Sequence, residues 1–368
     1  MRSRGYGTCV TEINAPRLDL STGVVELAAA LIDIPSESLD EGPIADAVER
    51  SLRPLAHLEV HRDGNTILAK TNTGASQRVV IGGHLDTVPP HGNVPHHIDG
   101  DRLYGLGACD MKGGVAVSLK LAAAVTEPVW DVTYLYYEGE EIDARYNGLA
   151  RIAQTHPDWL SGDFAILMEP SNADIEAGCQ GSLRVEVEVL GERAHSARAW
   201  MGDNAIHKAN EILNRLSAYQ PRVVVVDGLE YREGMNAVGI SGGVAGNVIP
   251  DRAVVTVNHR YAPSTMPEQA LVNVQELFDG FAVTVVDSAP GALPGLSHPA
   301  AAAFVKALGA TPAPKFGWTD VARFSELGVP AVNYGPGDPS LAHHRDEYVT
   351  IDQLHACHDA LTRWLTGS

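Results

Sequence analysis

The feature that most constrains the fold is a change in strand texture part-way along the chain. "GSLRVEVEVLG", residues 181–191, alternates strictly between apolar and polar residues. That is the mark of an antiparallel strand with one wet face. Earlier segments read differently. "RVVIGGHLDTVP" (78–89) and "DFAILMEPS" (163–171) are near-continuous apolar runs, each ending in ionisable residues. Helical patterns lie around and between them, as in "TGVVELAAALIDIPS" (22–36) and "GGVAVSLKLAAAV" (113–125). Continuous strands alternating with helices argue for an α/β sheet covered on both faces.

The alternating strand opens a distinct run. A helical pattern follows in "NAIHKANEILNRLSAY", then strand, turn and strand in "AVGISGGVAGNVIPDRAVVTVNHRY". A second helix, "PEQALVNVQELFDG", and a strand, "FAVTVVDS", complete a β-α-β-β-α-β order of the ferredoxin-like kind. From about Ala292 the α/β style returns, as in "TIDQLHACHDALTRWL". The predicted organisation is a mixed, mostly parallel sheet domain with helices on both faces, built from residues 1–177 and 292–368 and interrupted by an inserted α+β domain over 178–291. A length of 368 residues suits about two domains.

Bulk properties remove several classes of function. The net charge of −19 argues against nucleic acid or an anionic membrane as partner, since both need a basic footprint. No apolar run approaches the ~20 residues that span a bilayer. The four cysteines, Cys9, Cys109, Cys179 and Cys357, form no CxxC pair, which reads as reduced, cytoplasmic thiols. The first twenty residues have a basic start but no apolar core, and read as a disordered leader rather than a signal peptide.

Ligand-type residues recur where strands end. They are His84 and Asp86 in "GHLDTVP", Asp110 in "GLGACDMKGG", Glu140 and Glu141 in "EGEE", Glu169 in "MEPS", and His343 or His344 in "AHHRDEY". The carboxyl ends of strands line the ligand crevice of open α/β sheets, and imidazole with carboxylate is a zinc-type donor set. Each motif alone has an ordinary reading: a polar pair, a solvated acidic loop, a helix cap. Their coincidence at four strand ends points to a metal centre, because buried charges need partners. Competing motifs are absent: no GxGxxG or GxxxxGK[ST] phosphate loop and no HExxH. Adjacent residues leaving a strand point in opposing directions, so Glu140 and Glu141 are expected to do different work.

In order and spacing, these five motifs resemble the M20 family of metallo-aminoacylases and peptidases, over nearly the whole chain from about Val24. "GCQGSLRVEV", "GGVAGNVIPD" and "GPGDPSLAHHRDEY" are most similar to succinyl-diaminopimelate desuccinylases of the actinobacterial kind, with acetylornithine deacetylases next. The resemblance implies two Zn2+ per subunit, with Co2+ able to substitute. Asp110 would bridge them, with His84 and Glu169 on one ion and Glu141 and His343 on the other. His343, directly after the small Ala342, matches the family's ligand position. Glu140 would be the general base, Asp86 would orient His84, and the peptide after Asp110 would be cis. The substrate implied is a small N-acyl amino acid, hydrolysed at its amide. The inserted domain would serve as dimerisation domain and lid in a cytoplasmic homodimer, with His195 reaching the partner's active site. Asn247 and Arg260 match substrate-carboxylate or oxyanion positions, and Thr319 and Arg323 an anion-binding one. The chain departs from the family at Cys179-Gln180, where a double arginine is common. That departure bears on how a succinyl carboxylate is held.

Overall fold

The computed structural model describes residues 16–368; Cys9 and most of the segment read as a leader lie outside them. The described chain separates into two compact units. One comprises the residues up to Gly162 with Met168–Ala173 and Gly335–Ser368, and the other Asp163–Leu167 with Asp174–Tyr334.

In the first unit, four strands lie in the order Glu59–Asp63, Thr66–Lys70, Asp131–Tyr137, Arg78–His84. The last two run parallel, with His84 opposite Tyr137, and the other pairs are antiparallel. Asp131–Tyr137 is buried throughout, and Val79, Val80 and Ile81 are fully enclosed. Each such aliphatic side chain contributes about 1.5–3 kcal/mol of hydrophobic stabilisation. This explains why these strands read as continuous apolar runs. Helices Val24–Ile32, Lys112–Ala124 and Ile351–Thr366 pack on one another, and Lys112–Ala124 also packs on the two parallel strands. Helix Lys112–Ala124 is buried nearly all round, so it carries little amphipathic signal. A small second sheet joins the neighbouring His97–Asp99 and Arg102–Tyr104 to the distant Tyr348–Thr350.

The second unit contains the alternating-strand segment. Its antiparallel sheet has the order Gly234–Gly242, Arg252–Tyr261, Gly181–Leu190, Ala282–Ala289. Numbered along the chain, that is 2-3-1-4, the ferredoxin-like arrangement read from the sequence. Leu183, Val185, Val187 and Val189 face a core shared with Ile212, Val274 and Phe278 of the two helices. A hairpin, Val223–Val226 with Leu229–Arg232, is an addition to the expected pattern. Its turn is Asp227-Gly228, both at positive φ (49° and 82°), as a two-residue type I′ turn requires. By packing, residues 292–334 group with 174–291. Cys179 and Ala292 exchange backbone hydrogen bonds, each at 3.0 Å, and the Trp318 indole donates to the Pro290 carbonyl at 2.9 Å. This unit also holds a short mixed sheet in the order Phe164–Leu167, Ala331–Asn333, Glu176–Ala177, Ala313–Pro314. The mixed sheets with helices and the separate antiparallel domain thus match the predicted fold class. Among the described residues no helix is long and apolar enough to cross a membrane.

The helix Lys112–Ala124 sits against the backbone that leads to Glu169. A Cβ on Gly114 would lie 2.1 Å from the Met168 carbonyl oxygen, whereas one on Gly42 would meet nothing within 4 Å. Gly114→Ala is expected to destabilise the protein by about 1–3 kcal/mol, while Gly42→Ala is expected to be neutral or slightly stabilising. Urea-unfolding midpoints of the two variants check this.

Candidate metal centre and active site

The site is assembled where two parallel strands end side by side. His84 closes one strand, and Glu138 to Glu141 follow the other. The Met168 amide donates to the Gly82 carbonyl at 2.9 Å, which places Glu169 next to the same ends.

Asp86, fully buried, organises this edge. Its carboxylate accepts the amide N–H of Glu140 and of Glu141, both at 3.1 Å, and the Ser38 hydroxyl at 2.8 Å. The His84 Nδ1 lies 3.0 Å from the Asp86 backbone carbonyl and 3.6 Å from its carboxylate. A carbonyl can only accept, so Nδ1 carries a proton and Nε2 is the end that can ligate. Asp86 therefore orients His84 mainly through its backbone, and spends its carboxylate on the turn that carries Glu140 and Glu141.

That turn separates the three acids of "EGEE". Glu138 accepts from Thr66 Oγ1 at 2.6 Å and from Arg151 Nη2 at 2.7 Å, a structural role. Gly139 then adopts φ 72°, and a Cβ there would meet the Tyr146 carbonyl at 2.3 Å. The reversal turns Glu140 and Glu141 away from the Glu138 network.

Asp110 lies between two imidazoles. Its Oδ1 is 3.2 Å from His84 Nε2, and its Oδ2 is 3.6 Å from His343 Nε2. His343 Nε2 also lies 2.9 Å from Glu141 Oε2. His84, Asp110 and Glu141 present ligand atoms that all lie within 4.8 Å of one another. The Asp110–Met111 peptide is cis. His343 adopts φ 64°; both it and His344 are exposed, and it is His343 whose ring meets Glu141 and Asp110. Burial opposes charge on His84, but its hydrogen bond to Asp110 and the nearby Glu140, Asp86 and Glu169 raise its pKa well above the usual range. The hydrogen bond to Glu141, with Asp110 and Glu347 nearby, pushes His343 up to about 9.

The donor set fits divalent cations. Two imidazole nitrogens and several carboxylates form one cluster, and one carboxylate directs a separate oxygen at each imidazole. His84, Asp110, Glu141 and His343 are brought together directly, and Glu140 and Glu169 act electrostatically on His84. Three supporting residues were not among those singled out in the sequence. They are Ser38, Lys112, whose Nζ donates to the Ile34 carbonyl at 2.8 Å, and Glu347, which burial pushes up to about 7. Lys112 and Glu347 stand inside quoted motifs, but only their burial distinguishes them from motif flanks.

The remaining candidates belong to the other unit. His195 pairs with Val248 across a short bridge, and the Ser196 amide donates to the Asn247 carbonyl at 2.9 Å, so His195 and Asn247 are neighbours. His195 is exposed, and its Nδ1 accepts the Ala197 amide at 3.1 Å, which leaves Nε2 as the N–H end of the neutral ring. Arg260 is half-buried, its pKa drawn down by burial, and makes no ion pair or side-chain hydrogen bond among the described residues. Thr319 and Arg323 are engaged locally: Thr319 Oγ1 donates to Asn333 Oδ1 at 3.0 Å, and Arg323 Nε to Asp320 Oδ1 at 2.5 Å. At the departure from the family pattern, Gln180 donates to the Arg232 carbonyl at 2.7 Å, and burial pushes the Cys179 thiol up to about 11. Neither supplies a positive charge.

A sequence model of peptidase family M20/M25/M40 matches residues 80–367. The chain belongs to this family. It is 56% identical over 353 residues to a Mycobacterium tuberculosis protein provisionally named succinyl-diaminopimelate desuccinylase DapE, covering 95% of this chain and 100% of that one. It is 46% identical to the succinyl-diaminopimelate desuccinylase of Corynebacterium glutamicum, covering 92% and 95% respectively. Among solved structures, a Staphylococcus aureus tripeptidase superposes with a TM-score of 0.76 at 20% identity, covering 95% of this chain and 98% of that one. The M20 metallo-carboxypeptidase Sso-CP2 of Sulfolobus solfataricus gives 0.75 at 18%, covering 94% and 99%. The fold of this M20 chain is thus shared with peptidases of different specificity.

The raised imidazoles have a consequence for metal binding, because a ligating histidine must give up its proton. His343 holds a proton below about 9, so cation binding at neutral pH is expected to release protons and to weaken as pH falls. Calorimetric titration of Zn2+ into the apo protein, in buffers of different ionisation enthalpy, measures this release.

Proposed function

We propose that the chain hydrolyses N-succinyl-LL-2,6-diaminoheptanedioate to succinate and LL-2,6-diaminoheptanedioate, a step of lysine and peptidoglycan precursor synthesis, with two Zn2+ per subunit. The observation that carries the reaction class is Asp110 set between His84 and His343, beside a Glu140 whose backbone is fixed by Asp86. The names borne by the relatives at 56% and 46% identity support the substrate.

His84, Asp110, Glu141, Glu169 and His343 would hold the cations. When bound, these would favour ionisation of a water and polarise the amide carbonyl. Glu140 takes the proton of the attacking water as its oxygen bonds to the carbonyl carbon. It then gives that proton to the amine as the C–N bond breaks. The Nε2–H of His195 of the partner subunit donates to the developing oxyanion, and Asn247 stands beside it. Such a donor is worth roughly 3 kcal/mol or more. Arg260 takes a substrate carboxylate, since a half-buried guanidinium without an ion partner is suited to bidentate binding of an anion. Thr319 and Arg323 are weaker candidates for the same anion because both are already hydrogen-bonded.

On this reading residues 178–291 form a dimerisation and lid domain. The edge strand Gly234–Gly242 supports it, with Val238 and Ile240 exposed on a sheet margin that carries no charged residue; natural monomers usually protect such an edge. The buried free thiols of Cys109, Cys179 and Cys357 suit a reducing compartment, and the cytoplasm is the proposed location.

A substrate panel with and without a chelator tests the proposal. Turnover of the succinyl substrate should exceed that of acetylornithine, and the chelator should abolish it. Faster turnover of acetylornithine would overturn the substrate, and hydrolysis surviving the chelator would overturn the metal mechanism. Glu140→Gln is expected to lose about 10²–10⁴ in kcat while keeping its metal. Glu141→Gln should lose metal affinity at least about tenfold. Equilibrium dialysis with metal analysis separates the two.

A further inference from the structure

We infer that Glu347 is a positioning residue that sets Asp110 between His84 and His343 and ties the His343 segment to the Asp110 loop. The inference rests on the metal-centre reading above. Glu347 is buried, and its carboxylate is occupied entirely by backbone of one loop. Oε1 accepts the Cys109 amide at 2.8 Å and the Asp110 amide at 3.0 Å, and Oε2 accepts the Gly107 amide at 3.1 Å. Charge-assisted bonds of this type are stronger and shorter than neutral ones. The backbone of Glu347 joins in, its carbonyl accepting the Gly105 amide at 3.2 Å. One residue thus fixes the loop from Gly105 to Asp110 by four hydrogen bonds, the last of them on the amide of Asp110 itself.

The small second sheet explains how Glu347 reaches that loop. Strand Tyr348–Thr350 pairs with Arg102–Tyr104 in the register Tyr348↔Tyr104, Val349↔Leu103, Thr350↔Arg102. The loop leaves the end of Arg102–Tyr104 just as Glu347 precedes the paired Tyr348. A ladder of rings reinforces the pairing. His97 stacks on Tyr104 at 4.7 Å, Tyr104 meets Tyr348 at 5.2 Å, and the Arg102 guanidinium lies 4.5 Å over the Tyr348 ring. Upstream, the Glu347 amide donates to the His344 carbonyl at 3.2 Å, closing a turn that directly follows His343. The segment that carries His343 is therefore tied, through Glu347, to the loop that carries Asp110. Displacing Asp110 would change the distances at which its two oxygens face the imidazoles, 3.2 Å to His84 and 3.6 Å to His343.

The test compares wild type, Glu347→Gln and Glu347→Ala. Each is checked for folding by circular dichroism and titrated with Co2+, whose absorption reports ligand geometry, and with Zn2+ against a competing chelator. Glu347→Ala is expected to fold, to bind both ions roughly 10–100-fold more weakly, and to show an altered Co2+ spectrum. At saturating metal its kcat should fall at least tenfold, with KM within about threefold. Glu347→Gln keeps an acceptor for Asp110 and should lie between Glu347→Ala and wild type. A folded Glu347→Ala with wild-type metal affinity and Co2+ spectrum would overturn the inference. So would loss of folding in both variants, which would make Glu347 a structural anchor only. A wild-type protein that binds no Co2+ or Zn2+ would instead overturn the metal-centre reading.

Discussion

The rest of the site depends on one electrostatic constraint: several carboxylates are drawn to one pair of strand ends and must be compensated there. Asp86, Glu169 and Glu347 are almost without solvent, and Asp110 and Glu141 lie close by. An uncompensated buried carboxylate is costly. The chain answers with two kinds of donor. Asp86 and Glu347 take backbone N–H groups, five between them, with the Ser38 hydroxyl as a sixth bond. Asp110 and Glu141 take imidazoles instead. Backbone amides cannot be exchanged for another partner without unfolding a turn, so those acids are architectural. An imidazole can lose its proton and offer a lone pair, so those acids keep the option of a shared cation.

The same division separates the three acids that follow strand Asp131–Tyr137. Glu138 joins Thr66 and Arg151 and is settled within the protein. Glu141 faces His343. Glu140 is held by its amide on Asp86, and its carboxylate acts electrostatically on His84. Gly139 at φ 72° makes the split possible, since a side chain there would collide with the Tyr146 carbonyl and strain the backbone.

Much of this was legible in the sequence because it has a one-dimensional signature. Burial on both faces writes continuous apolar strands, and one wet face writes alternation, so the two sheet types could be told apart at residue 181. His84, Glu140, Glu141 and Glu169 stand at or just after strand ends, as their motifs suggested, whereas Asp110 precedes helix Lys112–Ala124 and His343 follows the turn Pro339–Leu341. What escaped depends on contacts that no period records. The sheet joining His97–Asp99, Arg102–Tyr104 and Tyr348–Thr350 uses three-residue strands, the last of them more than two hundred positions from the other two. The work of Glu347 and of the Asp86 carboxylate is done on backbone amides, which every residue type carries alike. The hairpin at Asp227-Gly228 is a different case. Its turn dipeptide is a known signal, but the β-rich "VVVVDGLEYR" lies outside the four-strand, two-helix order that the surrounding pattern suggested.

The adjacent histidines show how backbone conformation completes what residue type begins. Both could ligate a cation, and they differ only in where the chain points them. After the short turn Pro339–Leu341, His343 takes a left-handed conformation at φ 64°, a state that costs a residue other than glycine about 1–3 kcal/mol. The His344 amide donates to the Leu341 carbonyl at 3.1 Å, and the Glu347 amide to the His344 carbonyl at 3.2 Å. These bonds hold the reversal from both sides. It delivers the His343 ring to Glu141 and Asp110 and leaves the His344 ring in solvent. A conformation of that cost persists where its surroundings over-determine it, and here the compensation is the pair of carboxylates that the ring reaches. The turn is therefore best understood as part of the candidate metal centre: its strain is offset by the contacts that set His343 across Asp110 from His84.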